Sequence, residues 1–395
     1  MMSAYYEFFC PVKIVAGHAA LENIPFELKI LGAKRPLIIS DQGVKQNGLL
    51  NPIQQVFDGT EVEIAGIFDH VPADSSVDVV SEVAKYYRHQ QCDAILAVGG
   101  GSVIDTAKAV NILVSEGGDD VLQYVGAHHL TRPLKPLFVI PTTAGTGSEV
   151  TMVAVISHPQ KQQKVSFASY YLMPNVAILD PRMTLTLPAK ITAMTAMDAL
   201  THAIEAYTGL AHNAMSDAYA TAAIEKISQS LFVVLEQPDH KDARLELAQA
   251  STMAGIAFSN SMVALVHSLG HALGAVAHLP HGLCMNLFLP YVLRYNLEHD
   301  RERLAKLLLP LAGADVFAAT PAQQRAEKVI DTILKMRDQL HQLTQLPRTL
   351  QETGQVSPEQ FDEIAEKALN DGSIIFNHRE ASFEQLKQIL HDAWQ

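Results

Sequence analysis

Cysteine is scarce in this chain. Only Cys10, Cys92 and Cys284 occur, with no CxxC pair, which argues against a disulfide framework or a zinc knuckle. Basic residues are few: 29 Lys and Arg against 42 Asp and Glu give a net charge of −13. That balance argues against nucleic acid or an anionic membrane as partner. The start, MMSAYYEFFCPVKIV, lacks the basic, apolar and small-residue succession of a secretory leader, so a cytoplasmic location is the expectation. The most telling absence is local. Residues 247–293 contain no Asp, Glu, Lys or Arg, yet hold His267, His271, His278 and His281. Pro280, Pro290, the histidines and repeated glycines interrupt the run and argue against a membrane span. Histidines in so apolar a segment must find partners, and a cation is the partner that takes several neutral imidazoles at once.

What is present then falls into two textures. Pro36–Ser40, Glu61–Phe68, Asp93–Val98, Leu137–Ile140 and Val176–Leu179 read as buried strands, alternating with helical stretches such as Ser76–Gln90. This predicts an α/β domain with a mostly parallel, Rossmann-like sheet, and nucleotide binding at the carboxyl ends of its strands. After Pro188 strand signals nearly vanish. Helices are expected over Asp217–Glu236 (Ser216 as N-cap), Lys241–Phe258, Asp300–Leu311, Thr320–Leu343 and Ser357–Leu369. The expectation is a dinucleotide-binding domain over 1–184 and an all-helical, metal-binding and catalytic domain over 185–395.

Within DAILAVGGGSVIDTAK (93–108), a strand runs into three glycines and a helix opening with Ser102. Glycines admit a phosphate close to backbone N–H groups at a helix start, although a tight turn would look the same. The Rossmann fingerprint is incomplete, since Ile104 stands at its third glycine. PTTAGTGSEVT (141–151) is a second small-residue loop after a strand. Asp41 follows the PLIIS strand, where a carboxylate can accept from ribose hydroxyls or simply cap a turn. In the second half, Asp198 and His202 stand four apart, as do His267 and His271, so each pair shares a helix face. His281 follows in a Pro-His-Gly turn. Two helices and a loop thus predict a metal site.

GGGSVIDTAK, PTTAGTGSEV, MPNVAILDP, MTAMDALTHAIEAY and HSLGHALGAVAHLPHG together resemble the iron-dependent (group III) alcohol dehydrogenases, in the superfamily of glycerol dehydrogenase and dehydroquinate synthase. The resemblance spans nearly the whole chain. It implies a metal held by Asp198, His202, His267 and His281, Fe²⁺ first and Zn²⁺ as alternative. It implies a catalytic His271 near the nicotinamide, a pyrophosphate loop of Gly99, Gly100, Gly101 and Ser102, and Asp41 beside the adenosine ribose. Thr142, Thr143, Thr151, Lys164 and Met183 fall at further cofactor positions, and Phe258 on the substrate-pocket wall. Val153 stands at a position that is polar in some diol-specific relatives, which weakly favours simple aliphatic alcohols over diols. The chain departs from the family at Pro72-Ala73-Asp74, usually Pro-Asn-Pro, and at Asn377-His378-Arg379, usually Asn-Pro-Arg.

The implied function is hydride transfer between NAD(H) and a short-chain primary alcohol or aldehyde, by a homodimer or larger homo-oligomer. The alternatives are a lactaldehyde/1,2-propanediol or 1,3-propanediol oxidoreductase, a dehydroquinate-synthase-like lyase, and a structural protein keeping the fold.

Overall fold

The structure, a computed structural model, describes residues 5–161 and 163–395. It divides into two compact units, Cys10–Leu187 and Pro188–Gln395, with the described residues before Cys10 grouping with the second. The division falls a few residues beyond 184/185. The turn at Pro181–Met183 still belongs to the first unit, where Met183 is fully buried, and Pro188 is the N-cap residue of the next helix.

The first unit contains β1 (Lys13–Ala16), β2 (Pro36–Ser40), β3 (Gly66–Phe68), β4 (Ala94–Gly99), β5 (Gly126–Ala127), β6 (Leu137–Pro141), β7 (Val153–His158), β8 (Gln163–Ala168) and β9 (Val176–Leu179). Its helices are α1 (Ile24–Ile30), α2 (Gln42–Gln46), α3 (Leu50–Gln55), α4 (Val77–His89) and α5 (Gly101–Glu116). A six-stranded sheet runs β1-β9-β6-β4-β2-β3, parallel throughout. Its middle strands bury both faces, so alternate residues feed two cores: Ile95 and Ala97 one, Ala94, Leu96 and Val98 the other. This is the expected α/β sheet. The segment Glu61–Phe68 is shorter as a strand than its sequence suggests, with only Gly66–Phe68 paired, in register with Leu37–Ile39. A second sheet, β5-β8-β7, includes the antiparallel pair β7–β8 and was not expected.

A buried lysine joins α5 to the start of β7. The Lys108 ammonium donates to the Thr151 carbonyl (2.8 Å), the Thr151 hydroxyl (2.9 Å) and the Val153 carbonyl (2.9 Å). One turn earlier, Asp105 accepts from the Ser148 hydroxyl (2.7 Å) and the Val155 N–H (3.0 Å). Burial lowers the Lys108 pKa to about 8, opposed by the carboxylates of Asp105 and Glu149.

The second unit is helical: α6 (Ala189–Thr208), α7 (Ala214–Glu236), α8 (Lys241–Ser259), α9 (Leu265–Ala277), α10 (His281–Lys306), α11 (Leu308–Ala319), α12 (Arg325–Thr344), α13 (Phe361–Leu369) and α14 (Phe383–Asp392). Several boundaries differ from the sequence reading: the expected helix Ser357–Leu369, for one, is a 3₁₀ turn at Pro358–Gln360 followed by α13. The N-cap of α7 is Asn213, and Ser216 closes a capping box from the third helical position. The expected helix Asp300–Leu311 spans the end of α10 and the start of α11, since α10 begins at His281 and continues through Pro290. Thr320 caps the end of α11 instead of opening α12. Among the described residues, no helix is long and apolar enough to cross a membrane.

Candidate metal centre and cofactor loops

The metal candidates come from three helices. Asp198 and His202 lie on α6, His267 lies in the first turn of α9, and His281 is the first residue of α10. One ligand atom from each lies within 4.8 Å of the other three. Asp198 Oδ1 is 3.3 Å from His281 Nε2 and 3.8 Å from His202 Nε2. The His202 and His267 rings stack with centroids 4.7 Å apart, and Phe258 covers the other side of His202 at 4.2 Å. Gly282 permits this convergence. A Cβ there would overlap the Met194 carbonyl of α6, so only glycine lets α10 start so close to the ligand-bearing helix.

The protonation states suit a cation. Burial drives His202 down to about 3 and His267 well below the usual imidazole range. Burial also pushes Asp198 up, but the imidazoles of His202, His281 and His267 outweigh it and hold the carboxyl below the ordinary carboxylate range. His202 and His267 therefore offer neutral nitrogens and Asp198 an anionic oxygen, the forms in which these groups bind metals. His267 Nε2 is buried without a hydrogen-bond partner, an unsatisfied lone pair that a cation would satisfy. Its other nitrogen, Nδ1, is 2.6 Å from the buried carboxylate of Glu205.

His271 is set apart from the four. Its side chain is 42% exposed and stacks on His281 at 5.3 Å. Its Nδ1 meets Asp371 Oδ2 at 2.8 Å, while Asp371 Oδ1 accepts from the Ser373 N–H. Burial raises the Asp371 carboxyl, but the hydrogen bond with His271 prevails and holds it at about 2. Glu205 and Asp371 were not singled out from sequence. Glu205 carried a signal, lying three residues after His202 and seven after Asp198 on one helix face. Asp371, a hundred residues from its partner, carried none.

In the first unit, Gly99 ends β4, Gly100 is the N-cap of α5 and Gly101 opens the helix, one residue before the expected Ser102. The Ser102 hydroxyl donates to the Ala73 carbonyl. The two small-residue loops abut. Thr142 N–H donates to the Gly99 carbonyl at 3.1 Å, and a Cβ on Gly101 would come within 2.9 Å of the Thr146 methyl. Thr143 faces Gly100 across the same gap. Asp41 caps α2 by accepting from the Val44 N–H at 2.9 Å, so the capping reading and the ribose reading fall on one carboxylate. Lys164 pairs with Asp74 at 3.5 Å, through the residue that replaces the usual second proline. Thr151 and Val153 are held by Lys108, and the Met183 side chain lies inside the sheet core. The altered Asn377-His378-Arg379 segment is anchored by the Asn377–Asn296 pair and by His378 against Asp300.

Known proteins account for both units. Residues 11–181 match the family model for iron-containing alcohol dehydrogenase, and residues 192–394 match that of the Fe-containing alcohol dehydrogenase family, C-terminal. Alcohol dehydrogenase 4 of Saccharomyces cerevisiae is 33% identical over the full length of both chains. An NAD-dependent methanol dehydrogenase of Bacillus methanolicus is 33% identical, over 98% of this chain and 99% of its own. Among solved structures, a 1,3-propanediol oxidoreductase superposes with a TM-score of 0.93 at 32% identity, covering 99% of this chain and 100% of its own. The resemblance carried by the glycine loop and the spaced histidines thus extends end to end, and the chain belongs to the iron-containing alcohol dehydrogenase family as an oxidoreductase acting on alcohols.

Proposed function

We propose that this protein interconverts a short-chain primary alcohol and its aldehyde, with NAD(H) as hydride carrier and one divalent metal, Fe²⁺ before Zn²⁺. The observation that carries the reading is the cluster of buried Asp198, His202 and His267 with the exposed His281, and its unsatisfied His267 nitrogen. A divalent cation there supplies Lewis acidity, which lowers the cost of forming an alkoxide from a very weak acid. The residues do the rest. Asp198 would offset part of the cation's charge, and the imidazoles of His202, His267 and His281 would complete the donor set that holds it. Phe258 walls the site beside His202. His271 is placed to relay the hydroxyl proton, and Asp371 on its Nδ1 leaves Nε2 as the proton acceptor.

The Gly99–Ser102 turn supplies the backbone N–H groups of the α5 N-terminus for the dinucleotide pyrophosphate. Thr142 and Thr143 border that turn. Asp41 at the end of β2 suits a ribose diol and repels a 2′-phosphate. Activity with NADPH equal to or better than with NADH, at matched concentrations, would sink this part. Val153 favours simple alcohols. The likeness to 1,3-propanediol oxidoreductase supports a diol substrate as the second reading. Anaerobic purification, metal quantification and NADH absorbance across methanol, ethanol, butanol, the two propanediols and their aldehydes test the whole. Activity lost on chelation and restored by Fe²⁺ or Zn²⁺ is the expected result; bound metal with no NADH change on any of them counts against it. A homodimer or larger homo-oligomer in the cytoplasm completes the reading, and light scattering gives the oligomeric state.

His271→Ala is expected to slow turnover by about 10²- to 10⁴-fold, the usual contribution of a positioned acid–base group, with metal content near one per chain. Loss of metal on this substitution would move His271 into the ligand set.

A further inference from the structure

Helix α6 carries a third acid–base side chain on the face that bears Asp198 and His202. Glu205 is buried, 3% exposed, and its carboxylate receives three donors from the next segment of the site. Val266 N–H donates to Oε1 at 2.6 Å; Ala264 N–H donates to Oε2 at 2.9 Å; His267 Nδ1 reaches Oε2 at 2.6 Å. Ala264 is the N-cap residue of α9 and has no side-chain acceptor, so the cap that its own sequence lacks comes from α6. The positive end of the α9 dipole points at the same carboxylate.

The arrangement has a consequence for the imidazole. With two backbone N–H groups already directed at it, the carboxylate can meet His267 Nδ1 favourably only if that nitrogen also brings a proton. The neutral ring then has its lone pair on Nε2, the buried atom with no hydrogen-bond partner. We infer that Glu205 is a positioning residue that fixes the tautomer and ring orientation of His267, presenting Nε2 to the metal while capping the helix on which His267 rides. This rests on the metal reading given above. A carboxylate behind a ligating imidazole also raises its basicity.

A cap of ordinary structural kind would tolerate glutamine; this one should not. Either placement of the amide puts its NH₂ group against a backbone N–H, Val266 on one side or Ala264 on the other. When the amide nitrogen faces His267, Nδ1 must accept, and the ring proton moves to Nε2. The test uses full-length wild type, Glu205→Gln and Glu205→Asp, each stripped of metal. Zn²⁺ affinity is measured by competition with a chromophoric chelator, and the His267 tautomer by ¹⁵N NMR of the metal-free chains.

Wild type is expected to bind one Zn²⁺ and to show the Nδ1–H form. Glu205→Gln should bind about 10- to 100-fold more weakly, with unchanged circular dichroism and a His267 signal moved toward Nε2–H. Glu205→Asp should keep the Nδ1–H form and recover part of the affinity. Zn²⁺ binding by Glu205→Gln within about threefold of wild type overturns the inference while leaving the metal site intact, since removing such a partner normally costs tenfold or more. A wild-type chain that binds no Zn²⁺ overturns the metal reading itself. Should Glu205→Gln not fold, the wild-type spectrum decides, because an Nε2–H tautomer there is incompatible with the role.

Discussion

His267→Ala is expected to leave a folded protein without bound metal and with kcat/KM reduced by at least about a thousandfold. Lewis-acid stabilisation of an alkoxide contributes several kcal/mol, and each 1.4 kcal/mol is a factor of ten. The substitution removes the ligand nitrogen from the middle of the cluster, where the ring stacks on His202 and lies 5.5 Å from His281. It also removes one of three donors to Glu205, leaving the two backbone donors that cap α9. The fold should therefore persist, which circular dichroism checks alongside metal analysis and NADH kinetics. Full activity in this variant would refute metal dependence.

Lys108→Met is expected to destabilise the first unit by about 3–5 kcal/mol, the range seen when one partner of a buried ionic network is removed. For a unit of this size that is a fall in melting temperature of roughly 6–20 °C. The carbonyls of Thr151 and Val153 would lose their buried donor, and Asp105 its nearby cation. The effect has a pH signature. An unfolded lysine titrates near 10.4, whereas Lys108 in the fold titrates at about 8. Between these values the unfolded state binds more protons, so this group makes stability rise with pH from about 8 to about 10. The variant should lack that rise. Because the network holds the loop bearing Thr151, NADH affinity should fall with it. Denaturant titrations from pH 7.5 to 10 decide, and parallel curves for the two proteins would show that Lys108 titrates in the fold where it does in the unfolded chain.

What the sequence revealed depended on how local the determining contacts were. β2 and β9 were legible to the residue because both faces are buried, giving unbroken apolar runs. β7 and β8 were not. Their alternate residues are exposed, and stretches such as QKVSFA resemble polar loop. Strand β1 was missed for the same reason, being short and mostly exposed at the sheet edge. In the helical unit, the prolines used to rule out a membrane span also obscured α10, since Pro290 lies inside a 26-residue helix. Asp198 with His202 and His267 with His271 stood out through i, i+4 spacing, whereas the set of four ligands came from the family resemblance; one ligand atom of each of the four lies within 4.8 Å of the others. The carboxylates behind them are another matter. Glu205 shares the α6 stripe and was readable in principle, but its partners are about sixty residues away in the chain. Asp371 depends wholly on tertiary folding.

The placement of the four candidate ligands on α6, α9 and α10 has a consequence for the life of the protein in a cell. A cation gripped by all three acts as a cross-link between segments that are remote in the chain, and its binding free energy becomes folding free energy. By thermodynamic linkage, free metal at a hundred times its dissociation constant would add about 2.7 kcal/mol to the helical unit, and a thousandfold excess about 4.1 kcal/mol. Withdrawal of metal would then raise the fraction of chains open to proteases, so abundance would track metal supply as well as gene expression. Starvation would thin the enzyme population by turnover, in addition to idling its active sites.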